Sequence, residues 1–216
     1  MTRLAVITDI HADVHALRDA LARIDEIHAD QILCCGDLID YGLFPEETLT
    51  LLRERRVTTI RGNHDRWAIQ AGADASGWDL SPASIAYLQA LPSSWRARID
   101  GTWIVLAHAR PGSDLMGIAE DAPERELAEL LDEARGDVLI VGHTHVPFAR
   151  RLRDGRVVAN AGALLRDPAP GVDVSTPGTF GVLDVASREF VVRRARDGGQ
   201  LALPAQTSER PHSSRW

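Results

Sequence analysis

Residues 141–145 read Val141-Gly142-His143-Thr144-His145 and close an apolar run that begins at Val138. Two histidines one residue apart, directly after such a run, are hard to explain by packing. Side chains alternate between the faces of an extended segment, so we expect both imidazoles to point to the same side. Two imidazoles aimed at one point suit a transition metal. Two solvated loop histidines would explain this stretch equally well, and the rest of the chain decides between these interpretations.

Composition is typical of a globular protein with one domain. The chain has 216 residues, 44% of them hydrophobic, which is enough to bury a sizeable core in a single α/β domain. All 24 basic residues are arginine, and the net charge is −7. This acidic balance gives no support to non-specific nucleic-acid binding or to contact with an anionic membrane. It leaves room for a nucleotide held in a pocket.

The cysteines and the N-terminal residues predict a cytoplasmic location. Cys34 and Cys35 are adjacent, so no disulfide framework is expected, as in a reducing compartment. The apolar run at residues 1–7 is too short for a signal peptide. No stretch approaches the roughly 18 to 20 apolar residues of a membrane-spanning helix.

The first part of the chain alternates predicted strands with predicted helices. Short apolar runs at 4–7, 32–35 and 57–60 are typical of buried strands. Apolar residues spaced three and four apart predict a helix over 14–27, which Asp13 can cap, and Pro45 begins a second helix. This alternation favours βαβ units and a parallel sheet, in which functional groups gather where strands end.

The later part of the chain contains hairpin signals. Asp100-Gly101 separates predicted strands at 95–99 and 102–106, and Asp154-Gly155 separates 148–152 from 157–160. A last strand pair is predicted at 180–185 and 189–193, so we expect the second half to be antiparallel. Helices are predicted at about 81–91 and 123–134, the latter with Asp121 as a possible cap.

The remaining segments carry no regular pattern. Residues 67–79 are interpreted as a short helix and a loop that cover the site, and residues 161–178 as a glycine- and proline-rich loop. Residues 197–216 are polar and are predicted to form a disordered tail. A single domain is expected at 1–196.

The predicted strand ends share one kind of chemistry, because each carries a group that can bind a metal or move a proton. These residues are Asp9, His11, Asp37, Asn63, His64, His108, His143 and His145. They include five of the eight histidines, and only a common site explains their shared location. The oxygen and nitrogen donors are enough for two divalent ions and suit manganese, iron, zinc or nickel better than calcium. A carboxylate such as Asp37 is the natural bridge between two ions.

Five blocks of this sequence resemble the calcineurin-like metallophosphoesterase superfamily in their order and spacing. They are Asp9-x-His11, Gly36-Asp37, Gly62-Asn63-His64-Asp65, His108 and Gly142-His143-Thr144-His145. The resemblance covers about residues 3–193 and implies an α/β (α+β) fold, a four-layer αββα double β-sandwich.

The resemblance also implies a division of the site residues into two metal centres. One metal would be held by Asp9, His11, Asp37 and His145, and the second by Asp37, Asn63, His108 and His143. Manganese is favoured as the native ion. His64 would act near the leaving group, with Asp65 orienting it.

The sequence is most similar to the small prokaryotic phosphodiesterases of this superfamily. In these, the fourth block often reads His-Ala/Gly-Ser-Pro, and a later segment reads Asn-Pro-Gly-Ser. This chain has His108-Ala109-Arg110-Pro111 and Asn160-Ala161-Gly162-Ala163. The departures at Arg110 and Ala163 leave every expected ligand intact and bear on the choice of substrate.

The leading hypothesis is therefore hydrolysis of a small or nucleotide phosphodiester. Two ions would hold a hydroxide that attacks phosphorus in line with the leaving oxygen, and His64 would protonate that oxygen. Arg110 is a candidate for stabilising the extra negative charge, although a solvated surface arginine is an equal alternative. A phosphomonoesterase acting on nucleotides or phosphoproteins is the second hypothesis. A non-catalytic scaffold, like the retromer subunit that shares this fold, is the third.

Overall fold

The computed structural model describes residues 1–71, 80–171 and 177–203. The strands are, in chain order, β1 (Arg3–Ile7), β2 (Gln31–Cys34), β3 (Thr58–Thr59), β4 (Ser94–Ile99), β5 (Thr102–Ala107), β6 (Val138–Val141), β7 (Phe148–Arg151), β8 (Val157–Asn160), β9 (Thr179–Asp184) and β10 (Glu189–Arg194). The helices are α1 (Val14–Glu26), α2 (Pro45–Glu54), α3 (Asn63–Ala71), α4 (Pro82–Ala90) and α5 (Glu124–Ala134). The predicted elements are confirmed, with bounds shifted by a few residues.

Both five-stranded sheets are mixed. The first has the order β10-β9-β1-β2-β3, in which β1, β2 and β3 are parallel and β9 runs antiparallel to β1 and β10. The second has the order β4-β5-β6-β8-β7, with β6 parallel to both β5 and β8. The predicted hairpins β4–β5, β7–β8 and β9–β10 are antiparallel, but the expectation that the whole second half is antiparallel was wrong, because β6 pairs in parallel. Helix α5 carries the chain from β5 to β6, and such a crossover joins parallel strands.

Three hydrophobic cores separate four layers, which confirms the predicted αββα double sandwich. Alternate residues of β1 divide between two of these cores. Ala5 and Ile7 pack in the core that contains α1, α2 and α4, whereas Leu4 and Val6 pack between the two sheets. The third core lies between the other face of the second sheet and α5. A sheet covered on both faces explains why its central strands read as continuous apolar runs.

The predicted N-terminal cap is confirmed at α1 and is wrong at α5. Asp13 caps α1, because its carboxylate accepts a hydrogen bond from the backbone N–H of Ala16 at 2.8 Å. Helix α5 begins after Pro123 without a side-chain cap, so the prediction of Asp121 in that role was wrong. Proline itself fixes a backbone angle suited to a helix start.

The carboxyl ends of the six parallel strands lie at one edge of the double sandwich and position the site. Direct backbone bonds join these ends: Cys35 donates to Ile7, and Gly142 donates to His108. At the far end of the chain, Leu201 donates to Val192 and packs between the sheets. Residues 197–203 of the predicted tail thus lie against the fold, and residues 204–216 lie outside the described part of the chain. Within the described ranges, no helix has the length and apolar character needed to cross a bilayer.

Candidate active site

The structure brings all eight predicted strand-end residues together. Asp9 and His11 follow β1, Asp37 follows β2, and Asn63 and His64 begin α3 after β3. His108 follows β5, and His143 and His145 follow β6. Their donor atoms form three overlapping groups, in each of which the atoms lie within 4.8 Å of one another. The groups are Asp9, His11 and His145; His11, Asp37 and His64; and Asp37, His108 and His143.

One group of candidate metal ligands, called the first centre below, lies where β1 meets the loop after β6. His145 Nε2 lies 3.3 Å from Asp9 Oδ1 and 3.1 Å from His11 Nε2. The other ring nitrogen of His11, Nδ1, lies 3.1 Å from the carbonyl oxygen of Ile39. A carbonyl can only accept, so Nδ1 carries the proton and Nε2 presents its lone pair to the centre.

The second centre is formed around Asn63. The Oδ1 atom of Asn63 lies 2.9 Å from His108 Nε2 and 3.0 Å from His143 Nδ1. His108 is oriented in the same way as His11, because its Nδ1 lies 2.8 Å from the carbonyl oxygen of Cys35. Separations of about 3 Å between donor atoms are what metal–ligand bonds of about 2.0–2.2 Å produce.

Asp37 lies between the two centres. Its Oδ2 atom is 3.2 Å from His108 Nε2 and 3.8 Å from His11 Nε2. Its Oδ1 atom accepts a hydrogen bond from the backbone N–H of His64 at 3.0 Å, which fixes the carboxylate plane. Gly62 lies directly against this carboxylate, so a side chain there would displace it. Asp37 Oδ2 therefore lies close to candidate ligands of both centres.

The electrostatics of this cluster favour a bound cation. Burial lowers the pKa of His11 to about 4, so its ring is neutral and able to ligate. Burial alone would also lower the pKa of His108, but the Asp37 carboxylate overcomes it and raises that pKa to about 10. The same contact with His108 holds the pKa of Asp37 well below its usual range despite burial. The cluster thus stabilises positive charge, and its nitrogen and carboxylate donors fit divalent transition metals.

The two histidines after β6 do not share one target. Their φ angles are +67° and +59°, so the segment is not extended, and the alternation argument for a common direction does not apply. His143 turns to Asn63 and His145 turns to Asp9. Glycine is required at position 142, because a Cβ atom there would clash with the side chains of Thr8 and Asp9. The His143 backbone N–H then donates to Asp9 Oδ2 at 3.0 Å.

Backbone strain is concentrated at the site. Thirteen described non-glycine residues have positive φ. Eight of these lie in the loops that carry the candidate ligands, and they are Asp9, His11, Ala12, Asp37, Asp40, Tyr41, His143 and His145. Left-handed conformations cost free energy in residues with a Cβ atom and persist where surrounding contacts impose them. The surrounding loops therefore hold these side chains in place at some cost in stability.

His64 is oriented by Asp40. The family resemblance had implied Asp65 in this role. Its Nδ1 atom lies 2.7 Å from Asp40 Oδ2, while its Nε2 atom faces Asp37 Oδ2 at 4.0 Å. Burial opposes protonation of His64, but the contact with Asp40 outweighs it and raises the pKa of the ring. The sequence signal for Asp40 is an acidic residue three positions after Asp37 in the same loop.

Asp65 instead ties the backbones of two ligand loops together. Its Oδ2 atom accepts hydrogen bonds from the N–H groups of Asp37 and Gly62, and its Oδ1 atom accepts one from Leu38. Burial and the neighbouring Asp37 carboxylate raise the pKa of Asp65 to about 6. Its position is structural, and the expected contact with the His64 ring was wrong.

Arg110 also has a structural position. Its guanidinium donates to the carbonyl oxygens of Met116 and Gly117 at 2.9 and 3.0 Å and lies 3.4 Å from Glu126. These contacts fix the loop that places Leu115 beside His143. The guanidinium is therefore held by its own loop and by Glu126, so the alternative of a free surface arginine was wrong, while the role of Arg110 in substrate binding stays a prediction.

Asn160, at the end of β8, supports the loop that carries His143 and His145. Its Nδ2 atom donates to the carbonyl oxygen of Gly142 at 2.7 Å and to Thr144 Oγ1 at 3.1 Å. Its Oδ1 atom accepts from the N–H of Gly162 at 2.8 Å. The segment 160–163 stood out in the sequence by resemblance, but the contact with Gly142 appears only in the structure.

The mouth of the site is aromatic and apolar. The ring of Tyr41 packs against His11 and His64, with centroid distances of 4.6 and 4.9 Å. Trp67 packs edge-on against the other side of His64 at 4.7 Å. Together with Leu115, these residues border a cavity of about 390 Å³ whose floor contains Asp37, Asn63 and the histidines. Residues 72–79, part of the predicted covering segment, lie outside the described part of the chain.

Comparison with known proteins identifies relatives over most of the chain. A family model for the calcineurin-like phosphoesterase superfamily domain matches residues 2–188. The uncharacterized protein MJ0912 of Methanocaldococcus jannaschii is 28% identical over 178 residues, which cover 76% of this chain and 70% of that protein.

Two solved structures show the same fold. A metallophosphoesterase of Sphaerobacter thermophilus has a TM-score of 0.68 at 24% identity and covers 94% of this chain and 89% of its own. The hypothetical protein PH1004 of Pyrococcus horikoshii has a TM-score of 0.75 at 18% identity, with coverages of 90% and 88%. Similarity at these identities supports the architecture, and the family model supports the biochemical class.

Proposed function

The chain belongs to the calcineurin-like phosphoesterase superfamily, and from this premise we propose that it is a metal-dependent phosphodiesterase of small or nucleotide esters. The observation that carries the proposal is the complete set of donors around Asp37 Oδ2, which ligands of both centres approach. A scaffold with this fold has no need for a full set of buried ligands, since unpaired buried polar groups destabilise a protein. The catalytic domain is assigned to residues 1–196.

The ligands divide into two centres that share Asp37. Asp9, His11, Asp37 and His145 would hold the first divalent ion, and Asp37, Asn63, His108 and His143 the second. Manganese is the favoured ion among manganese, iron, zinc and nickel, since the donors mix carboxylate and amide oxygens with imidazole nitrogens. When bound, such ions activate water at neutral pH and polarise phosphoryl oxygens.

His64 supplies the proton for the leaving alcohol. Asp40 accepts from Nδ1 and fixes the ring, so Nε2 is the nitrogen that faces the ligand centres. An alkoxide is a poor leaving group, and a proton delivered from Nε2 as the ester bond breaks lets it depart as a neutral alcohol. The rings of Tyr41 and Trp67 both pack against the imidazole, and His64 is only 8% exposed.

The proposal is tested by metal removal and substrate comparison. Prolonged chelation should abolish hydrolysis of bis-p-nitrophenyl phosphate, and manganese should be among the ions that restore it. The diester should be cleaved at least as efficiently as p-nitrophenyl phosphate. Full activity in protein shown to be metal-free by elemental analysis would contradict the metal-dependent mechanism.

The alternative is a phosphomonoesterase acting on nucleotides or phosphoproteins. A strong preference for p-nitrophenyl phosphate, together with no turnover of any cyclic nucleotide, would assign the protein to that class. Bound metal with no turnover of either nitrophenyl ester would favour the scaffold.

A further inference from the structure

We propose that the apolar rim formed by Tyr41, Trp67 and Leu115 binds a flat aromatic ring on the alcohol side of the ester, so that the preferred substrate is a nucleoside ester of a single phosphate. This inference rests on the proposed phosphoesterase function and specifies its substrate class.

The rim stands beside the leaving-group side of the site. Trp67 and Tyr41 contact His64 from two directions, with interplanar angles of 65° and 60°. An alcohol that takes its proton from His64 therefore leaves next to both rings. Aromatic side chains bind planar groups by stacking or edge contact, and every nucleobase offers such a face. The adjoining cavity of about 390 Å³ lies within the range of small-molecule sites.

Exposed apolar side chains are concentrated at this mouth. Six large hydrophobic residues are exposed in the described ranges, and five of them border the cavity or lie within two positions of a residue that does. They are Leu43, Trp67, Leu115, Met116 and Val146, and the sixth is Met1. Trp67 is 40% exposed and Leu115 is 51% exposed. Contiguous apolar surface that adjoins a polar site is a mark of ligand binding.

The rim is held in place before any ligand arrives. Tyr41 has a φ of +60°; its backbone N–H donates to Asp40 Oδ1, and its carbonyl accepts from Ala169 at 2.6 Å. Leu115 is fixed from below, because its N–H and that of Met116 donate to Ser113 Oγ. A surface ordered in advance binds a rigid ring with little further loss of conformational entropy.

The charges around the cavity restrict the number of phosphates. The described residues that border it include neither arginine nor lysine. Among the arginines of the neighbouring segments, Arg66 pairs with Asp114 and Arg110 with Glu126. Bound metals would therefore be the main cationic contacts for phosphoryl oxygens, which favours one phosphate over a polyphosphate chain.

A matched pair of esters tests the role of the ring. Adenosine 5′-(methyl phosphate) and ribose 5-(methyl phosphate) have the same scissile bond and differ only in the base. Water adds across the P–O5′ bond, methyl phosphate is released, and adenosine or ribose leaves with the proton. In manganese-loaded protein, kcat/KM should be about 10- to 100-fold higher for the adenosine ester, as expected when one base stacks on an aromatic ring.

Variants assign the preference to the rim. Trp67→Ala should bring the ratio of the two kcat/KM values to within about threefold of one, while Trp67→Phe should keep most of it. Trp103→Ala is the matched control, because Trp103 packs on Arg96 in the second sheet, away from the cavity, and its ratio should equal that of the wild type. As a readout independent of turnover, adenosine but not ribose should quench tryptophan fluorescence in the wild type and not in Trp67→Phe.

The outcomes separate this inference from the function on which it rests. Failure to hydrolyse bis-p-nitrophenyl phosphate with metals bound would refute the proposed phosphodiesterase. Hydrolysis of that ester with an adenosine-to-ribose ratio near one would refute the ring subsite alone. A preference that survives in both Trp67→Ala and Tyr41→Ala would also overturn it. If adenosine does not quench the fluorescence and the rim instead mediates protein association, these side chains form a protein contact. That result would reject the proposal.

Discussion

The floor and the rim of the cavity differ in burial, in chemistry and in how closely the sequence specified them. Floor residues such as Asp37, Asn63 and His64 are 1–8% exposed and hydrogen-bonded, whereas Trp67 and Leu115 at the rim are 40% and 51% exposed. Floor residues occupy short motifs at strand ends, whereas the rim combines Trp67 of α3 with Tyr41 and Leu115 from two loops, and these three share no sequence pattern. The difference suggests that the floor determines the reaction and the rim the ester that reaches it. Substitutions can separate these roles.

The largest effect is expected at the floor, for Asp37→Asn. This change keeps the shape of the side chain but removes the charge that both ligand centres share. We expect kcat/KM for bis-p-nitrophenyl phosphate to fall by about 10⁴-fold or more, because several kcal/mol of transition-state stabilisation depend on the bound ions. Elemental analysis should show a loss of metal.

Asp19→Asn is the matched control for this change. Asp19 is a surface partner of Arg166, so its loss should leave metal content and turnover near the wild-type values. An Asp37→Asn protein that binds two ions and turns over normally would contradict the bridging assignment.

His64→Ala tests the boundary between floor and rim. Turnover of a nucleotide ester should fall by roughly 10² to 10⁴, the usual range for general acid catalysis. The loss with a nitrophenyl ester should be much smaller, because nitrophenolate departs without a proton. Bound metal should remain near the wild-type amount. Equal losses on both esters with metal retained would point to electrostatic stabilisation of the phosphoryl group, and a loss of metal would make His64 a ligand.

Asp40→Asn measures how much the orientation of His64 contributes. The variant retains an acceptor oxygen but loses the charge 2.7 Å from Nδ1. Turnover of the nucleotide ester should fall by about 10- to 100-fold, a typical cost of changing a partner that orients a catalytic or metal-binding histidine. In the double variant with His64→Ala, the Asp40 change should add little, since residues acting through one group are not additive. Fully additive losses would show that Asp40 does not act through His64.

Asn160→Ala should affect the floor without touching a predicted ligand. The side chain holds Gly142 and Thr144, so its loss should loosen the segment that presents His143 and His145. We expect about a 10-fold loss of metal affinity, at the lower end of the range for such supporting contacts. Titration of metal-depleted protein with manganese gives the affinity directly. Unchanged affinity would show that the ligand loop keeps its geometry without Asn160.

The smallest effect is expected for Glu46→Gln, away from both regions. The Glu46 carboxylate accepts from the Ser84 hydroxyl at 2.7 Å and from the N–H of Ser81, which joins α2 to α4. Partial burial opposes ionisation, but these hydrogen bonds lower the pKa of Glu46 below 4.5. The variant should lose about 1 kcal/mol of unfolding free energy near neutral pH and no activity.

The pH dependence of this loss gives a second measurement for Glu46. A lowered pKa in the folded state means that the contribution is present above the unfolded-state pKa and disappears as pH falls through the folded-state value. Urea denaturation of both proteins at pH 7 and near pH 3 should show the difference shrinking with acidification. A difference independent of pH would mean that ionisation of Glu46 is not its source.

The sequence determined the elements and the membership of the site, and its resemblance to the superfamily implied the four layers. Periodicity within short segments predicted α1 and the central strands because burial repeats with the local geometry of a helix or strand. Strand-end motifs identified the eight clustered residues because parallel strands bring their carboxyl ends to one edge.

Only the tertiary structure decided which side chains meet. The local pattern placed His143 and His145 on one target, yet left-handed backbone angles separate them. The family resemblance assigned Asp65 to orient His64, but Asp40 contacts the ring. The parallel pairing of β6 with β8 and the assembly of the aromatic rim likewise depend on segments distant in sequence. Directions of side chains in such loops are set by non-local hydrogen bonds and close packing, which local sequence periodicity does not encode.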